Sequence, residues 1–354
     1  MNIFLTGSTG FLGGKLIKNL IEDTSHQLYV LVRNMEKGMK VKSAFTAEEQ
    51  ERIHLLKGDI TDVDCGLSKE NLKQLNNNID AFYHLAALVK FDLDLRDELF
   101  AINYNGTKHA LDLAVKLGVE SFHYVSTAYT VGKRSLGVEE LYDPSAEYNN
   151  PYEESKVKSE HLVFAYSDKM KISIFRPSII VGDSKTGEAD SEFTLYGFMR
   201  ALDLFKRRVS RQNTSSEVYR LVANKEGTSN LVPVDYVADV LAVGLAKAEP
   251  NKVYHITNPN PPNNMDLLNV LKEALEFERL SVVEDTISYE LSPAEMRLNG
   301  MVDVFNVYLS GAITFEDANT QGLIEQTNIK HLMMSEETIK MIIDAYFDMQ
   351  VVKI

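Results

Sequence analysis

A tyrosine and a lysine at helical spacing, preceded by a pair of hydroxyl side chains, are the residues of this sequence that could move a proton. Tyr152 and Lys156 lie four residues apart in a predicted helix, so their side chains face the same side of it. The charge of a nearby lysine lowers the pKa of a phenol, which lets the phenol exchange a proton with a substrate oxygen near neutral pH. Ser126 and Thr127 follow a predicted strand, and either hydroxyl could bond the same oxygen.

A glycine-rich turn near the start of the sequence predicts a binding site for the pyrophosphate of a dinucleotide. An apolar run at residues 3–5, a buried-strand candidate, leads into GSTGFLG and then into an amphipathic helical segment. This order places backbone N–H groups at a helix N-terminus, where a pyrophosphate would bind. The spacing is GxxGxxG, and the alternative is a purely structural turn. The residues that we expect to contact the dinucleotide are Gly7, Thr9, Gly10, Phe11, Leu12 and Gly13.

The residue at the end of the second predicted strand favours NADPH over NADH. Arg33 follows this strand, residues 27–32, at the place where the adenosine ribose lies in a dinucleotide fold. An acidic residue there would bind the ribose 2′-OH, whereas the fork of an arginine fits a 2′-phosphate. The alternative is a solvated arginine on a loop.

Two further strand ends supply candidate contacts to the cofactor. Residues 53–56 lead to Asp59, which would lie near the adenine or else serve as a turn or cap residue. Residues 81–85 are followed by Ala86, a small residue that would let the cofactor lie close to the backbone. His84 lies within this apolar run, and we interpret it as a packed histidine rather than a catalytic one.

Strands and helices alternate at short intervals, which predicts an α/β fold with a doubly wound parallel sheet, the Rossmann architecture. Residues 1–182, with residues 230–258 returning to the sheet, form the predicted dinucleotide-binding domain. Residues 183–229 and 259–354 form a smaller, mainly helical substrate-binding region. The predicted strands are residues 3–5, 27–32, 53–56, 81–85, 122–125, 172–175 and 253–256.

Composition restricts the class of protein further. Of the 354 residues, 44% are hydrophobic and 25% are charged, as in an ordinary globular protein. A net charge of −14 argues against binding to nucleic acid. The one cysteine, Cys65, excludes an internal disulfide and a cysteine-based metal cluster, so we predict no metal site and a cytoplasmic location. The sequence has no apolar run near the roughly 18 residues that span a bilayer, and it opens directly into a strand without a signal peptide.

The first 260 residues contain five motifs that occur together in one protein family: GSTGFLG, HLAA, NYNGT, VSTAY and YEESK. In combination they resemble the extended short-chain dehydrogenase/reductases. Within that family the sequence is similar to the thioester reductases and fatty acyl-CoA reductases. The segments that carry this similarity are YVSTAYTVG, FRPSIIVGDSKTGE, LVPVDYV and YHITNPNPPN.

This resemblance implies roles for individual residues. The family's catalytic Ser/Thr, Tyr and Lys correspond to Thr127, Tyr152 and Lys156. Thr127 matches the family spacing to the tyrosine better than Ser126, which stays a second candidate. The resemblance assigns Arg33 to the 2′-phosphate, Asp59 and Ile60 to the adenine, and Pro177, Ile179, Ile180 and Val181 to the nicotinamide side. Lys156 would also be placed to hold the nicotinamide ribose.

The resemblance implies an NADPH-dependent reductase of an acyl thioester carried on coenzyme A or on the phosphopantetheine arm of a carrier protein. The product would be an aldehyde, and a second hydride could give the alcohol. One alternative is an extended reductase or epimerase that acts on a ketone, a sterol-like alcohol or a nucleotide sugar. Another is a non-catalytic dinucleotide-sensing protein, which the pairing of Tyr152 with Lys156 argues against.

Two apolar segments and one basic run lie in the predicted substrate-binding region. The apolar segments are a predicted helix at residues 193–206 and a helix opened by the capping box of Ser292 and Glu295. Most such residues form ordinary core, yet we expect some of them to line an acyl pocket. Residues 206–211 are basic, and they form either a solvated surface or a site for an anionic ligand. The apolar residues in question are Leu195, Phe198, Met199, Met296, Met301, Phe305, Tyr308 and Leu309.

The arginine beyond the second strand gives a first testable prediction. Replacing Arg33 with alanine should weaken NADPH binding by about 10- to 150-fold, since a charge-assisted bidentate contact is worth roughly 1.5–3 kcal/mol. NADH binding should stay nearly unchanged, because NADH has no 2′-phosphate. Titrating both dinucleotides into both proteins checks this, and equal losses for the two would remove Arg33 from that role.

Overall fold

The computed structural model describes the chain except for residues 23–24, 190–193, 212–216, 285–289, 310 and 353–354, together with the side chains of residues 304, 306–309 and 350–352. Its strands are β1 (Asn2–Thr6), β2 (Gln27–Val32), β3 (Ile53–Lys57), β4 (Ala81–His84), β5 (Ser121–Val125), β6 (Leu136–Gly137), β7 (Lys171–Pro177), β8 (Ile179–Val181), β9 (Tyr219–Val222), β10 (Leu231–Pro233), β11 (Lys252–Ile256), β12 (Leu280–Val283) and β13 (Thr314–Phe315). Its α-helices are α1 (Phe11–Glu22), α2 (Met35–Lys42), α3 (Ala47–Glu51), α4 (Lys69–Leu75), α5 (Arg96–Leu99), α6 (Gly106–Lys116), α7 (Pro151–Phe164), α8 (Leu195–Ser210), α9 (Val234–Lys247), α10 (Asn264–Ala274), α11 (Pro293–Leu309), α12 (Ala318–Ile324) and α13 (Glu336–Val352).

Seven strands form one parallel sheet in the order β11–β7–β5–β4–β1–β2–β3. From β1 the chain moves outward through β2 and β3, then returns to β4 on the other side of β1 and continues outward in the opposite direction. The reversal lies between β1 and β4, where Thr6 pairs with His84. In open α/β sheets a ligand binds beyond the carboxyl ends of the strands at such a reversal. The predicted doubly wound sheet is therefore confirmed.

The strands are apolar on both faces because helices cover both sides of the sheet. On one face, Phe4, Phe82 and Phe122 stack across β1, β4 and β5, with neighbouring ring centroids 4.7 and 5.1 Å apart. On the other face, the hydroxyl of Tyr83 donates to the carbonyl of Leu241 in α9 at 2.6 Å. Successive residues of β4 thus serve opposite faces, as the alternation of side chains along a strand requires.

A buried ion pair joins α7 to the sheet. Arg176 of β7 donates to the two carboxylate oxygens of Glu160 in α7 at 2.8 and 2.7 Å, and both side chains are 0% exposed. The guanidinium also donates to the carbonyls of Val138 and Glu140 at 3.1 and 2.8 Å. The two charges are thus paired with each other and hydrogen-bonded by protein groups. A buried ion pair is stable only when both conditions are met.

The chain divides into two compact units, and each is built from segments that are distant in sequence. The first unit consists of Met1–Ser178, Val234–Thr257 and Phe315–His331. The second unit consists of Ile179–Pro233, Asn258–Thr314 and Leu332–Ile354.

The carboxylate of Glu139 joins all three segments of the first unit. It accepts hydrogen bonds from the backbone N–H of His255 at 2.8 Å and of Asn319 at 2.6 Å. Asn319 also donates through Nδ2 to the carbonyl of Val253 at 2.9 Å. The sequence-based division assigned the whole of residues 259–354 to the substrate-binding region, whereas these bonds attach residues 315–331 to the first unit.

The second unit is mainly helical and has its own aromatic contacts. Phe198 of α8 meets Phe305 of α11 edge to face, with ring centroids 6.4 Å apart. Tyr196 packs against Tyr346 of α13 at 5.3 Å. Two pairs of short strands, β8 with β10 and β9 with β12, form parallel two-stranded sheets in this unit.

The predicted capping box opens α11. The backbone N–H of Ser292 donates to the carboxylate of Glu295 at 2.7 Å, and the N–H of Glu295 donates to Oγ of Ser292 at 3.3 Å. Pro293 takes the first helical position, where its missing N–H costs nothing. No helix in the described ranges is long and apolar enough to cross a membrane.

Three of the residues predicted to line an acyl pocket belong to the core. Leu195, Phe198 and Met199 are buried, whereas Met296 is 57% exposed. A small, mainly apolar cavity borders Phe198 between α8, β9, α10 and β12. The side chains of Tyr308 and Leu309 lie outside the described residues, as does Phe193 at the start of the predicted helix.

Neighbouring glycines in α1 give a matched pair of substitutions. A Cβ on Gly13 would lie 2.5 Å from the carbonyl oxygen of Gly7 and from Cα of Ser8, whereas a Cβ on Gly14 would meet nothing within 4 Å. Gly13→Ala should therefore lower the free energy of unfolding by about 1–3 kcal/mol. Gly14→Ala should raise it by about 0.5–1 kcal/mol, the difference in helix propensity. Denaturant titrations of the three proteins measure both effects, and a Gly13→Ala protein as stable as the Gly14→Ala protein would contradict the close packing of the turn.

Candidate active site

Helix α7 places Tyr152 and Lys156 beside the end of β5. The helix begins after Asn150, whose side chain accepts a hydrogen bond from the N–H of Glu153 at 3.0 Å, with proline in its first turn. Both candidate residues are buried, Tyr152 at 8% and Lys156 at 2% exposure. Lys156 Nζ donates to the carbonyl of Val125, the last residue of β5, at 2.8 Å. The four-residue spacing thus directs both side chains at one strand end.

The structure brings Thr127, rather than Ser126, to the candidate tyrosine. Thr127 is extended, and its side chain lies close enough to Tyr152 to lower the pKa of the phenol. Ser126 donates its backbone N–H to the carbonyl of Phe175 at 2.7 Å. The Ser126 hydroxyl is buried and has no hydrogen-bond partner among the described residues. The preference for Thr127 therefore has a geometric basis, while the catalytic roles themselves stay predictions.

Burial, not the lysine, governs the ionisation of Tyr152. Desolvation raises the pKa of Tyr152 above its ordinary value, the charge of Glu153 raises it further, and the bond to Thr127 opposes both. The sequence predicted that Lys156 would lower this pKa, which is wrong for the structure. The reason is that the Lys156 ammonium bonds Val125 and the hydroxyl of Tyr124, the latter at 3.1 Å. Tyr152 is therefore a protonated phenol at neutral pH.

Lys156 itself is close to neutrality. Burial lowers the pKa of Lys156 to about 7, although the negative charge of Glu160 partly opposes this shift. Its Nζ lies 4.6 Å from the ring centroid of Tyr124 as well as within hydrogen-bonding distance of the hydroxyl. Sequence reasoning missed Tyr124 as a partner of the lysine, although Tyr124 opens the quoted motif YVSTAYTVG.

The glycine turn fits a dinucleotide pyrophosphate. Gly7 has φ +76°, and the N–H of Gly10 donates to the carbonyl of Gly7 at 3.1 Å, which closes the turn. A Cβ on Gly7 would lie 2.6 Å from the backbone nitrogen of Ala86, so the turn packs against the loop after β4. Thr9 and Gly10 are exposed, and the N–H groups of the first turn of α1 follow them. The hydroxyl of Ser8 is buried without a partner in the described part of the chain. Phe11 and Leu12 are half-buried and Gly13 is buried.

Two cationic residues lie together beyond β2 and β3. Arg33 is exposed and follows β2 directly. The ammonium of Lys57, at the end of β3, donates to the backbone carbonyl of Arg33. Sequence reasoning missed Lys57, because the pairing of β2 with β3 decides that these two ends meet.

Asp59 has the turn role that the sequence offered as an alternative. Its Oδ1 accepts from both the N–H and the hydroxyl of Thr61 at 2.9 Å. Ile60 is buried, and its carbonyl is 2.9 Å from Nδ1 of His109. Contacts of Asp59 and Ile60 with an adenine stay predictions.

His84 is a packed histidine, as interpreted from the sequence. Its Nδ1 lies 2.7 Å from the hydroxyl of Thr6, and its Nε2 lies 3.1 Å from that of Thr107. Burial lowers the pKa of His84 to about 3, and the nearby charge of Lys156 lowers it too. The neutral imidazole makes one hydrogen bond through each ring nitrogen, and these two bonds join β1, β4 and α6.

The predicted nicotinamide-side residues belong to both units. Pro177 ends β7 in the first unit and pairs with Ile256. Ile179 and Ile180 lie in β8 of the second unit, opposite Leu231 and Val232 of β10. Ile180 is the more exposed of the two isoleucines. Their roles toward a cofactor stay predictions.

Known proteins resemble this chain in sequence and in fold. An NAD-binding family model described as male sterility protein matches residues 5–241. A component of the linear gramicidin synthase of Brevibacillus parabrevis is 25% identical over 97% of this chain, which spans 7% of that protein. Fatty acyl-CoA reductase 1 of Xenopus laevis is 28% identical over 51% of this chain and 43% of its own length. The chain thus spans less than half of either relative.

A solved structure shares the fold over nearly the whole chain. The terminal R domain from the myxalamid PKS-NRPS biosynthetic pathway is similar with a TM-score of 0.80 and 24% identity, over 99% of this chain and 92% of that one. The likeness agrees with the α/β Rossmann fold of this chain.

The paired hydroxyls give a prediction for turnover. Tyr152→Phe removes only the phenol oxygen, so fold and cofactor affinity should survive while carbonyl reduction slows by about 10²-fold or more. Tyr166→Phe, just beyond the end of α7, is the matched control. This control removes the hydrogen bond of 2.5 Å from the Tyr166 hydroxyl to Asp112. Because that bond lies at the surface, turnover should stay normal. A Tyr152→Phe protein with unchanged kcat would show that the proton comes from another group.

Proposed function

The chain belongs to the male sterility protein family of NAD(P)H-dependent oxidoreductases, and on this premise we propose that it reduces acyl thioesters with NADPH. One observation carries the proposal: Thr127, just beyond β5, lies close enough to Tyr152 to lower the pKa of its phenol, and the buried Lys156 bonds the end of the same strand. Two hydroxyl donors that converge on one point suit a carbonyl oxygen that gains negative charge during reaction.

The residues of the chain divide the chemistry between them. Thr127 and Tyr152 donate to the carbonyl oxygen of the thioester and hold it as charge develops. When bound, the dinucleotide supplies the hydride that reduces the carbonyl carbon. Tyr152 gives its proton to the oxygen and is left as a phenolate, while Lys156 bonds the carbonyl of Val125 at the end of β5. Collapse of the hemithioacetal returns this proton to Tyr152 as the C–S bond breaks, which releases an aldehyde and a thiolate, and the thiolate takes a proton from solvent to become the thiol.

The acyl group would arrive on coenzyme A or on the phosphopantetheine arm of a carrier protein. Both carriers present the same thioester to Thr127 and Tyr152. The names of the relatives support both, since one is a fatty acyl-CoA reductase and another is part of a gramicidin synthase. A second hydride would convert the aldehyde to an alcohol at the same pair of hydroxyls.

The preference for NADPH is supported by the cations beyond β2 and β3. Arg33 is exposed, and Lys57 is bonded to its backbone carbonyl. A 2′-phosphate at this place would receive charge-assisted bonds that a 2′-hydroxyl would not need. We assign the activity to the cytoplasm, because a chain with one cysteine suits a reducing compartment.

The dependence on chain length tests the assignment of the substrate. Each methylene that the protein removes from water contributes up to about 0.8 kcal/mol, or roughly fourfold. We therefore expect kcat/KM on saturated acyl-CoAs to rise steeply with chain length before it levels off. The loss of NADPH absorbance and the release of aldehyde or alcohol, followed together, give the rate and the product.

Other carbonyl substrates serve as the comparison. A ketone, a sterol and a nucleotide sugar should leave NADPH unconsumed under the same conditions. If acyl-CoAs and carrier-bound thioesters of every length are inert while one of these compounds is turned over, the thioester assignment is wrong.

A further inference from the structure

One apolar side chain lies against the candidate proton donor. Phe91, in the loop after β4, meets the ring of Tyr152 edge to face, with centroids 5.8 Å apart and planes at 75°. Phe91 is half-buried, whereas Tyr152 is almost fully covered. Phe91 therefore lies beside the phenol that a substrate must reach, and it is not fully covered.

A buried asparagine fixes this loop to the helix of Tyr152. Asn103 lies in a π-helical turn at Phe100–Asn105, between α5 and α6. Its side chain accepts from the N–H of Leu88 at 2.7 Å, and donates to the carbonyl of Leu88 and to Oγ of Ser155 at 3.0 Å each. Ser155 Oγ in turn donates to the carbonyl of Tyr152 at 2.7 Å. The bonds to Leu88 are partly buried and those of Ser155 are buried, so together they hold the loop and the first turn of α7 in one relative position.

The geometry of carbonyl reduction determines what lies beside Phe91. The reacting oxygen must bond both Thr127 and Tyr152, so the carbonyl carbon lies one bond farther from these hydroxyls. The carbons attached to it then come within reach of groups that touch the Tyr152 ring. A benzene ring favours contact with methylenes, whereas a sugar hydroxyl placed there would lose its hydrogen bonds to water.

We propose that Phe91 is a specificity-determining residue, whose ring packs against the acyl carbons next to the reacting carbonyl. This inference rests on the proposed reduction of thioesters. The inference places an apolar contact with the substrate, beside the reacting carbonyl, in the first unit. It also gives the asparagine in the π-helical turn a positioning role, because Asn103 holds the loop that carries the ring.

Substitutions at Phe91 should change the selectivity between straight and branched acyl groups. With NADPH, we would measure kcat/KM on octanoyl-CoA and on 2-methyloctanoyl-CoA. Phe91→Ala should lower the value for the straight chain by about tenfold, since contacts with one or two methylenes are lost. It should lower the value for the branched chain less, because the removed ring leaves room for the methyl group. Phe91→Trp should shift the ratio of the two values in the opposite direction.

A neighbouring residue and the dinucleotide serve as controls. Leu93→Ala changes a side chain of the same loop that is 67% exposed, and it should leave both substrates unaffected. NADPH affinity should be the same in all variants, which reports that each protein is folded. If the Phe91→Ala protein has lost affinity for NADPH, the ratio of the two kcat/KM values in the Phe91→Trp protein decides whether Phe91 sets the selectivity.

Two failures can be told apart. A wild-type protein that reduces no thioester contradicts the proposed function, and the inference falls with it. In the other case, the wild-type protein reduces thioesters while no substitution at Phe91 changes the ratio of kcat/KM for octanoyl-CoA to that for 2-methyloctanoyl-CoA. That result overturns only the inference, and Phe91 is then a packing partner of Tyr152.

Discussion

The buried ion pair between Arg176 and Glu160 is the contact on which the geometry of the active site depends. Two charges in the interior are tolerated only when both are fully hydrogen-bonded, which allows one arrangement of α7 on β7. Glu160 lies one helical turn beyond Lys156, so the same arrangement directs Lys156 at the end of β5 and Tyr152 at Thr127. We infer that the pair contributes positional specificity to the helix more than it contributes stability.

The neutrality of the site follows from its burial. Desolvation lowers the pKa of His84 to about 3 and that of Lys156 to about 7, and it raises the pKa of Tyr152. Each shift disfavours a charge in the resting protein. A charge that develops on a substrate oxygen in such surroundings interacts strongly with fixed dipoles, since little water screens it. The polar groups near the phenol are thus preorganised for a charge that only the reaction creates.

The sequence predicted what depends on local patterns and missed what depends on pairing across the chain. Short continuous apolar runs predicted the strands of the sheet, and the GxxGxxG spacing predicted the turn that Gly7 closes. Lys57 and Phe91 carry no local signal, because each acquires its neighbour only when distant strands and loops meet. The same reason explains the ionisation of Tyr152. A lysine four residues away is visible in a sequence, but desolvation and the competing partners of the lysine are not.

The hydrogen bonds of Glu139 to distant parts of the chain affect how the first unit can fold during synthesis on the ribosome. Chains leave the ribosome from the amino terminus, and domains generally fold as units during synthesis. Glu139 accepts hydrogen bonds from the N–H groups of His255 and Asn319, and it leaves the ribosome long before either of them. Until Asn319 has been translated, the carboxylate of Glu139 bonds water in place of at least one of these N–H groups, so the contacts that join the three segments of the first unit form only after Asn319 has left the ribosome.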